Sequence, residues 1–241
     1  MKKARTLRPS EFPAGLCDLP DPPSRLFMRG KIPPGRAVAI VGTRRCTRYG
    51  RATASALGAA VAAAGWAVVS GLARGIDSAA HRGVVDVGGV GIAFLGSGLD
   101  VWYPPENREL GESLVANGGA VISEYPAGSP PEPWHFPVRN RLIAAMSEAV
   151  VVVEAGLTGG ALITARLALE LGRDVLAVPG DIDRPASVGC NLLIRDGATP
   201  VLGADDLLET LGWTRPVVPS AEEASVAARL AAATRAELGM G

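Results

Sequence analysis

Short runs of valine, isoleucine and alanine alternate with longer stretches of helical pattern along most of this chain, and that alternation limits the folds available to it. The six predicted strands span residues 37–41, 67–70, 91–95, 120–123, 150–154 and 174–178. Near-continuous apolar runs are typical of strands buried on both faces, and intervening helices favour parallel pairing. The pattern therefore predicts an open, doubly wound α/β domain with a mostly parallel sheet and helices on both faces.

Helices are predicted between these strands and after the last of them. They span residues 49–64, 78–87, 106–117, 140–147, 160–171, 191–195 and 204–211. Together the strands and helices predict one domain over residues 37–212. In such folds the ligand crevice lies outside the carboxyl ends of the strands, so function is expected in the loops that follow them.

The two ends of the chain differ in composition from the predicted domain. Residues 1–36 are rich in proline and are predicted to form an extended lead-in with turns. Residues 213–241 are predicted to form a linker followed by a short, alanine-rich helix. Neither end is predicted to be a domain by itself.

The charge balance narrows the classes of partner. Lysine plus arginine and aspartate plus glutamate both total 24, so the formal net charge is zero. This balance argues against wrapping a duplex over a broad basic face, but it permits a local basic groove.

The cysteines and the apolar runs bear on location. Cys17, Cys46 and Cys190 are far apart and lack metal-ligand spacing, so neither a disulfide framework nor a zinc site is expected. No apolar stretch reaches the roughly 18 residues of a membrane span, and the basic N-terminus runs into prolines rather than into a signal-peptide core. We therefore expect a cytoplasmic protein that needs no metal, cofactor or membrane.

The loop after the first predicted strand contains a concentration of arginine. Gly42 allows close approach of the backbone, Thr43 offers a hydroxyl, and Arg44 offers a planar fork for phosphate. Three more arginines lie within the next seven residues. The loop lacks both GxGxxG and GK[ST], and no acid ends the second strand, which disfavours the standard modes of NAD and ATP binding.

The next two strand-end loops combine glycine with residues that form hydrogen bonds. In the first of them, Ser70, Gly71 and Gly75 suit a nest of backbone amides for an anion, and Arg74 is a further candidate contact. Asp77 is expected to cap the following helix. In the second, the candidate residues for contact with a phosphate or a base are Gly96, Ser97 and Gly98.

The later loops add supporting residues. Glu124 follows the fourth strand, and Glu154 ends the fifth, where a catalytic role and a role in orienting Arg139 or backbone amides both remain open. Gly160 opens a helix whose N-terminus suits an anion. Asn191 either reaches the crevice or caps its own helix.

The segment FPVRNR at residues 136–141 is predicted to lie at the junction of a loop and a helix. Phe136 offers a face on which a base can stack, and Arg139 and Arg141 offer forks for phosphate oxygens. Asn140 adds an amide side chain. This combination suits a phosphate-bearing polymer with unstacked bases, although a proline turn with two solvated arginines has the same residues.

Many of these segments occur, in order, as motifs of a known family. They are VGTR at 41–44, SGLARGID at 70–77, GSGLD at 96–100, YP at 103–104, SEYP at 123–126, FPVRNR at 136–141, VEA at 153–155, LITA at 162–165, AVPG at 177–180 and NLLI at 191–194. Over roughly residues 12–211, the chain resembles the DprA (Smf) family of bacterial DNA-processing proteins.

The resemblance implies an extended Rossmann domain that binds single-stranded DNA and helps to load the RecA recombinase onto it in natural transformation and recombination. It also implies a homodimer that binds DNA without catalysis. By motif, Arg44, Arg139 and Arg141 would hold phosphates, whereas Phe136 and the loop at 96–98 would meet a base or sugar. Alanine at Arg44 or Arg139 is accordingly expected to weaken oligonucleotide binding with little loss of stability.

The chain also departs from the family pattern. The segment Gly159-Gly160-Ala161 stands where Ser-Gly-Ser is more usual, which removes a hydroxyl donor. The winged-helix module of many members is absent or reduced to residues 213–241, and no helical domain is visible before the lead-in.

Two other functions stay open. Phosphoribohydrolases of the lysine-decarboxylase-like (LOG) type have a similar fold and a PGGxGTxxE pattern whose last glutamate acts on a nucleotide's glycosidic bond. Residues 158–164 have no glutamate at that position, and Asp77, Asp100 and Glu124 show no spacing of an acid–base pair. The third possibility is a nucleotide-sensing or interaction domain.

Overall fold

The computed structural model of the chain describes residues 4–212. Its strands are β1 (Arg5–Leu7), β2 (Leu26–Gly30), β3 (Ala37–Val41), β4 (Ala67–Ser70), β5 (Gly91–Leu95), β6 (Ala120–Ser123), β7 (Ala149–Val152), β8 (Asp174–Ala177) and β9 (Thr199–Pro200). Its helices are α1 (Ala14–Cys17), α2 (Arg48–Ala63), α3 (Ile76–Asp86), α4 (Arg108–Ala116), α5 (His135–Ala145), α6 (Gly160–Glu170), α7 (Val188–Arg195) and α8 (Ala204–Thr210).

The strands form one sheet in the order β1-β2-β6-β5-β4-β3-β7-β8-β9. In this order, all neighbouring strands from β6 to β9 pair in parallel. The pairs β1–β2 and β2–β6 are antiparallel. Successive strands from β3 to β6 extend the sheet to one side, and β7 to β9 extend it to the other. The predicted α/β, doubly wound and mostly parallel fold is therefore confirmed, with its reversal of strand order between β3 and β7.

Alternate residues of the central strands enter different helical layers. Ala39 and Val41 of β3 share a core with Leu142 of α5 and Ala165 of α6. The helices α2, α3 and α4 pack against one another as a separate layer. Helices thus cover both faces of the parallel strands, which explains why those strands are apolar at nearly every position.

The structure differs from the sequence prediction in the first 36 residues. Instead of an extended lead-in, this segment contributes β1 and β2 to the sheet, with Leu7, Leu26 and Met28 buried. The prolines around these strands hid the pattern, because they interrupt it on both sides and Pro normally marks turns or sheet edges.

The start of α5 also differs from prediction. The helix begins at His135 rather than at residue 140, so the motif at 136–141 lies inside it and not at a loop–helix junction. Pro137 does not prevent this, because it occupies the first turn, where a backbone amide has no helical partner to lose. Smaller differences occur at β7 and β8, which end before Glu154 and Val178.

All the elements named above belong to one compact unit. The predicted linker and helix over residues 213–241 lie outside the described residues. Among residues 4–212, none of the helices has the length and apolar character needed to cross a bilayer.

Candidate functional site

A cleft of about 1010 Å³ opens at the carboxyl edge of the sheet. One wall is formed by residues 41–45, which follow β3, and another by residues 155–164, which follow β7. The N-terminal half of α5 closes the third side. The cleft thus lies where strand order reverses, which is the position at which open α/β sheets bind ligands.

An aromatic ring with a fixed orientation lies in this cleft. Phe136 packs against Gly96, where an added Cβ would come 3.0 Å from the ring, and its centroid is 5.5 Å from that of Tyr103. The Arg44 guanidinium lies over the Phe136 ring at 4.6 Å from its centroid. Since Arg44 is exposed, its side chain can leave the ring and turn towards a ligand.

The charge lining the cleft is mainly positive. Arg44, Arg45 and Arg166 are exposed and line its walls. Asp77 is the only carboxylate among the described lining residues, and it is buried below the surface. A local basic groove, which the charge balance permits, is therefore present in a chain whose formal net charge is zero.

The first turn of α6 faces the same cleft. Gly159, the residue before this helix, provides no side-chain cap, and residues 157–160 are exposed. The Asn140 Nδ2 donates to the Gly160 carbonyl at 3.1 Å, and the Thr164 hydroxyl donates to the same oxygen at 3.0 Å. These bonds fix the start of the helix, while its first amides remain available to an anion.

Arg139 does not lie where a solvent-borne phosphate can reach its fork. Its side chain is only 4% exposed, and Nη1 donates to the carbonyl oxygens of Gly71, at 2.8 Å, and Phe94. Burial lowers the pKa of Arg139 to about 10, while Asp77 opposes that shift. Arg139 is thus charged at neutral pH and joins the ends of β4 and β5 to α5.

Asp77 completes this buried arrangement instead of capping α3. The helix begins at Ile76 after Gly75, and the Asp77 carboxylate accepts a hydrogen bond from the Gly71 amide at 3.0 Å. Burial raises the pKa of Asp77, while the charge of Arg139 counteracts this. Asp77 and Arg139 therefore each hold the loop after β4, through the amide and the carbonyl of Gly71.

Two other predicted phosphate ligands already have carboxylate partners. Arg141 does not line the cleft, and its Nη2 donates to both oxygens of Glu124 at 2.7 and 2.8 Å. Arg74 is exposed and pairs with Glu106 at 2.5 Å. Arg141 lies in α5 and Arg74 in the loop after β4, and neither lines the cleft walls in this structure.

Five more predicted contact residues are also not among the lining residues: Ser70, Gly71, Gly96, Ser97 and Gly98. The Ser70 hydroxyl donates to the Ile40 carbonyl at 2.7 Å, and the Ser97 hydroxyl to the Val101 carbonyl at 2.6 Å. Gly98 is buried and its amide donates to the Ser129 carbonyl at 3.0 Å. These groups shape the strand-end loops behind the cleft.

Asn191 is another such residue. It neither reaches the cleft nor caps α7: its amide side chain pairs with both backbone groups of Gly180, at 3.1 and 2.9 Å. It therefore fixes the loop after β8.

Glu154 positions the arginine-rich loop. Its carboxylate is 3% exposed and accepts hydrogen bonds from the Thr47 amide at 2.8 Å and the Thr47 hydroxyl at 2.5 Å. The same hydroxyl accepts from the Gly50 amide, which caps α2. Of the two roles considered for Glu154, the structure shows the one that orients backbone amides.

Sequence reasoning missed Tyr103 and Arg166 as lining residues. Arg166 follows Leu162 and Ile163 at helical spacing, and all three line the cleft. Residues three and four apart lie on the same face of a helix, so the helix predicted from Gly160 could have placed Arg166 beside Leu162 and Ile163. Tyr103 had no such signal, because its contact with Phe136 joins residues that are distant along the chain.

His81 makes the stability of this region depend on pH. It is fully buried, and neither ring nitrogen has a hydrogen-bond partner within residues 4–212. Burial, with a smaller contribution from Arg139, lowers its pKa from 6.5 to about 3. The His81 imidazole is therefore protonated near pH 6.5 in the unfolded chain and stays neutral at that pH in the folded chain. As a result, stability is lost as pH falls below 6.5.

We expect this linkage to remove about 2 kcal/mol of unfolding free energy between about pH 7 and pH 5. Urea unfolding of the wild type and His81→Leu at both pH values measures it. Asp77, whose raised pKa acts in the opposite sense, is common to both proteins and cancels in the comparison. The linkage is disproved if His81→Leu loses as much stability on acidification as the wild type.

The fold and the site define a class of protein: a Rossmann-like α/β domain with a basic, glycine-lined cleft at the carboxyl edge of its sheet. A family model described as DNA recombination-mediator protein A matches residues 3–212. The chain belongs to that family, as its motifs predicted.

Relatives and solved structures agree with this assignment. Protein Smf of Escherichia coli is 42% identical over 219 residues, which cover 90% of this chain and 59% of the relative. The X-ray structure of DprA from Streptococcus pneumoniae has a TM-score of 0.79 and 38% identity, and the match covers 86% of this chain and 74% of that one. A structure of DprA from Helicobacter pylori, described for its single-stranded DNA binding mode, has a TM-score of 0.77 and 30% identity. The match covers 87% of this chain and 96% of that one.

The chain spans 59% of the length of Escherichia coli Smf and 52% of that of Smf from Synechocystis. The matched part therefore corresponds to the domain described here, and these relatives contain additional sequence.

Proposed function

We propose that the cleft binds single-stranded DNA without catalysing a reaction on it, and that the protein promotes loading of RecA in natural transformation and recombination. The observation that carries the proposal is the convergence of exposed arginines, an oriented aromatic ring and an uncapped helix start at one edge of the sheet. The exposed arginines and the start of α6 hold phosphates, and an unpaired base stacks on the aromatic ring.

Each part of the cleft has a distinct task in this proposal. Arg44 and Arg45 bind phosphates, and the first amides of α6 bind a further phosphate. A base enters beside Phe136 as Arg44 exchanges its contact with the ring for a contact with DNA. Arg139 does not touch the strand; it keeps the loops after β4 and β5 in place beneath it.

Family membership supports the remaining parts of the proposal. The Helicobacter pylori relative was described for its single-stranded DNA binding mode, and this chain shares its fold with a TM-score of 0.77. The proposal has three further parts. The protein acts as a homodimer, it transfers the strand to RecA, and it does so in the cytoplasm, where such a strand would meet RecA.

A hydrolytic function of the LOG type is less well supported by the same cleft. General acid–base hydrolysis needs a carboxylate that can reach the scissile bond. Among the described lining residues, Asp77 is the only carboxylate, and it is hydrogen-bonded to Gly71 beneath the surface. No observation favours this function over binding.

Titration with labelled oligonucleotides tests the proposal. We expect the protein to bind a single-stranded oligonucleotide more tightly than the corresponding duplex, because only unpaired bases expose a face for stacking. AMP serves in parallel as a mononucleotide competitor and as a substrate for release of adenine. Equal affinity for duplex, or equal affinity for AMP, contradicts strand binding, and release of adenine favours the hydrolytic function.

A further inference from the structure

The first turn of α2, together with the loop before it, presents an unusual group of exposed side chains. Arg45, Arg48 and Arg51 are exposed, and Tyr49 is 51% exposed. None of the three arginines forms an ion pair with a carboxylate among residues 4–212. We call these four residues the α2 patch.

The position of these charges is unfavourable for the helix itself. Positive side chains in a first turn oppose the helix dipole, and this turn contains no acidic residue. The nearby Glu154 carboxylate is buried and directed to Thr47, so it does not pair with the arginines. The α2 patch thus carries positive charge that stabilises nothing in the described fold, and an external polyanion is the partner that it fits.

Tyr49 indicates which polyanion fits best. Its ring is exposed and takes part in no aromatic pair or cation–π contact within residues 4–212. Trp134, which is also exposed, already packs edge-on against His135 at 4.0 Å. An exposed ring beside arginines in the sequence is a combination that suits single strands, because bases can stack on the ring while phosphates meet the guanidinium groups.

The α2 patch is continuous with the cleft. Arg45 belongs to both, since it lines the cleft wall and precedes α2 by three residues. Gly50 and Ala54 lie on the buried face of α2, whereas Arg48 and Arg51, which are three residues apart, are both exposed. A strand leaving the cleft beside Arg44 would therefore meet this surface next.

We infer that the α2 patch is a second strand-binding segment, which extends the path of a single strand out of the cleft with Tyr49 as its stacking platform. The inference rests on the proposed function of the cleft. It adds a surface that a short oligonucleotide does not reach and that a longer one does.

Oligonucleotide length separates the two surfaces. Binding of thymidine oligomers of about 5 and about 15 nucleotides, a span within known single-strand site sizes, is measured for each variant. We expect Tyr49→Leu to weaken binding of the longer oligomer about tenfold, within the range of one stacking contact, and Tyr49→Phe to preserve it. We expect Arg48→Ala with Arg51→Ala to reduce the salt slope of the longer oligomer by about 1.4, from two phosphate contacts of about 0.7 each.

The matched control removes the same charge elsewhere. Lys31 follows β2 at the opposite edge of the sheet, and Arg195 lies at the exposed end of α7. Lys31→Ala with Arg195→Ala should leave the binding of both oligomers unchanged apart from a small common shift. Thermal melts of all variants check that the exposed substitutions leave the fold intact.

The possible failures are distinguishable. If the wild type binds neither oligomer, the proposed function of the cleft fails, and the α2 patch fails with it. If the short oligomer binds and the longer one is unaffected by Tyr49→Leu and by the arginine pair, the second segment alone is overturned. An equal effect of the Lys31 and Arg195 control would also overturn it, because net charge would then explain the result.

Discussion

Replacing Arg139 by alanine is expected to lower the free energy of unfolding by about 3–5 kcal/mol, because two buried hydrogen bonds from a charged donor are lost. The substitution leaves the carbonyl oxygens of Gly71 and Phe94 without their donor, and it removes the positive charge that counteracts the raised pKa of the buried Asp77. Sequence analysis instead expected a phosphate ligand whose loss would hardly affect stability. Urea unfolding at neutral pH distinguishes the two.

A double-mutant cycle shows whether Asp77 is the reason. In an Asp77→Asn background, Arg139→Ala leaves no buried carboxylate behind, so it should be less destabilising there than in the wild type. The exposed Arg44 is the matched control, and its alanine variant should remain within about 0.5 kcal/mol of wild-type stability. If Arg139→Ala lowers the free energy of unfolding by less than about 1 kcal/mol, Arg139 is not a structural residue, and the role of phosphate ligand expected from sequence is favoured.

Reversing the charge of Arg44 is expected to weaken single-strand binding by at least about a hundredfold, or about 2.7 kcal/mol. Loss of a charge-assisted hydrogen bond accounts for about 1.5–3 kcal/mol, and repulsion between the new carboxylate and phosphate adds to it. Fluorescence anisotropy with Arg44→Glu and a single-stranded oligonucleotide measures the change.

Lys31→Glu provides the control for this reversal. It changes the net charge by the same amount at the opposite edge of the sheet, and it should weaken binding far less. Similar losses in both variants would mean that the oligonucleotide responds to total charge, with no defined phosphate position at Arg44.

The central sheet could be predicted from sequence because its strands are buried on both faces. The strands β3, β4, β5 and β6 have the predicted bounds, since turns end each apolar run sharply. The three missed strands are short edge or near-edge elements among prolines, where burial of Leu7, Leu26 and Met28 depends on partners distant in sequence. Patterns within a short window do not contain that information.

The cleft was predictable in part for a related reason. Arg44 and Gly160 could be located because loops after parallel strands converge at one edge. Arg139 could not be distinguished from Arg44 once the helix was predicted to begin at residue 140. With α5 starting at His135, Arg139 joins Leu142 and Ile143 on the buried face at helical spacing.

The dependence of single-strand affinity on salt, measured for the wild type and Arg44→Ala, tests the central claim most directly. If the cleft holds the strand by its phosphates, log affinity falls linearly with log salt, and Arg44→Ala reduces that slope by about 0.7. A wild-type affinity that is unchanged over a severalfold rise in salt would contradict the account, as would identical slopes and affinities for the two proteins.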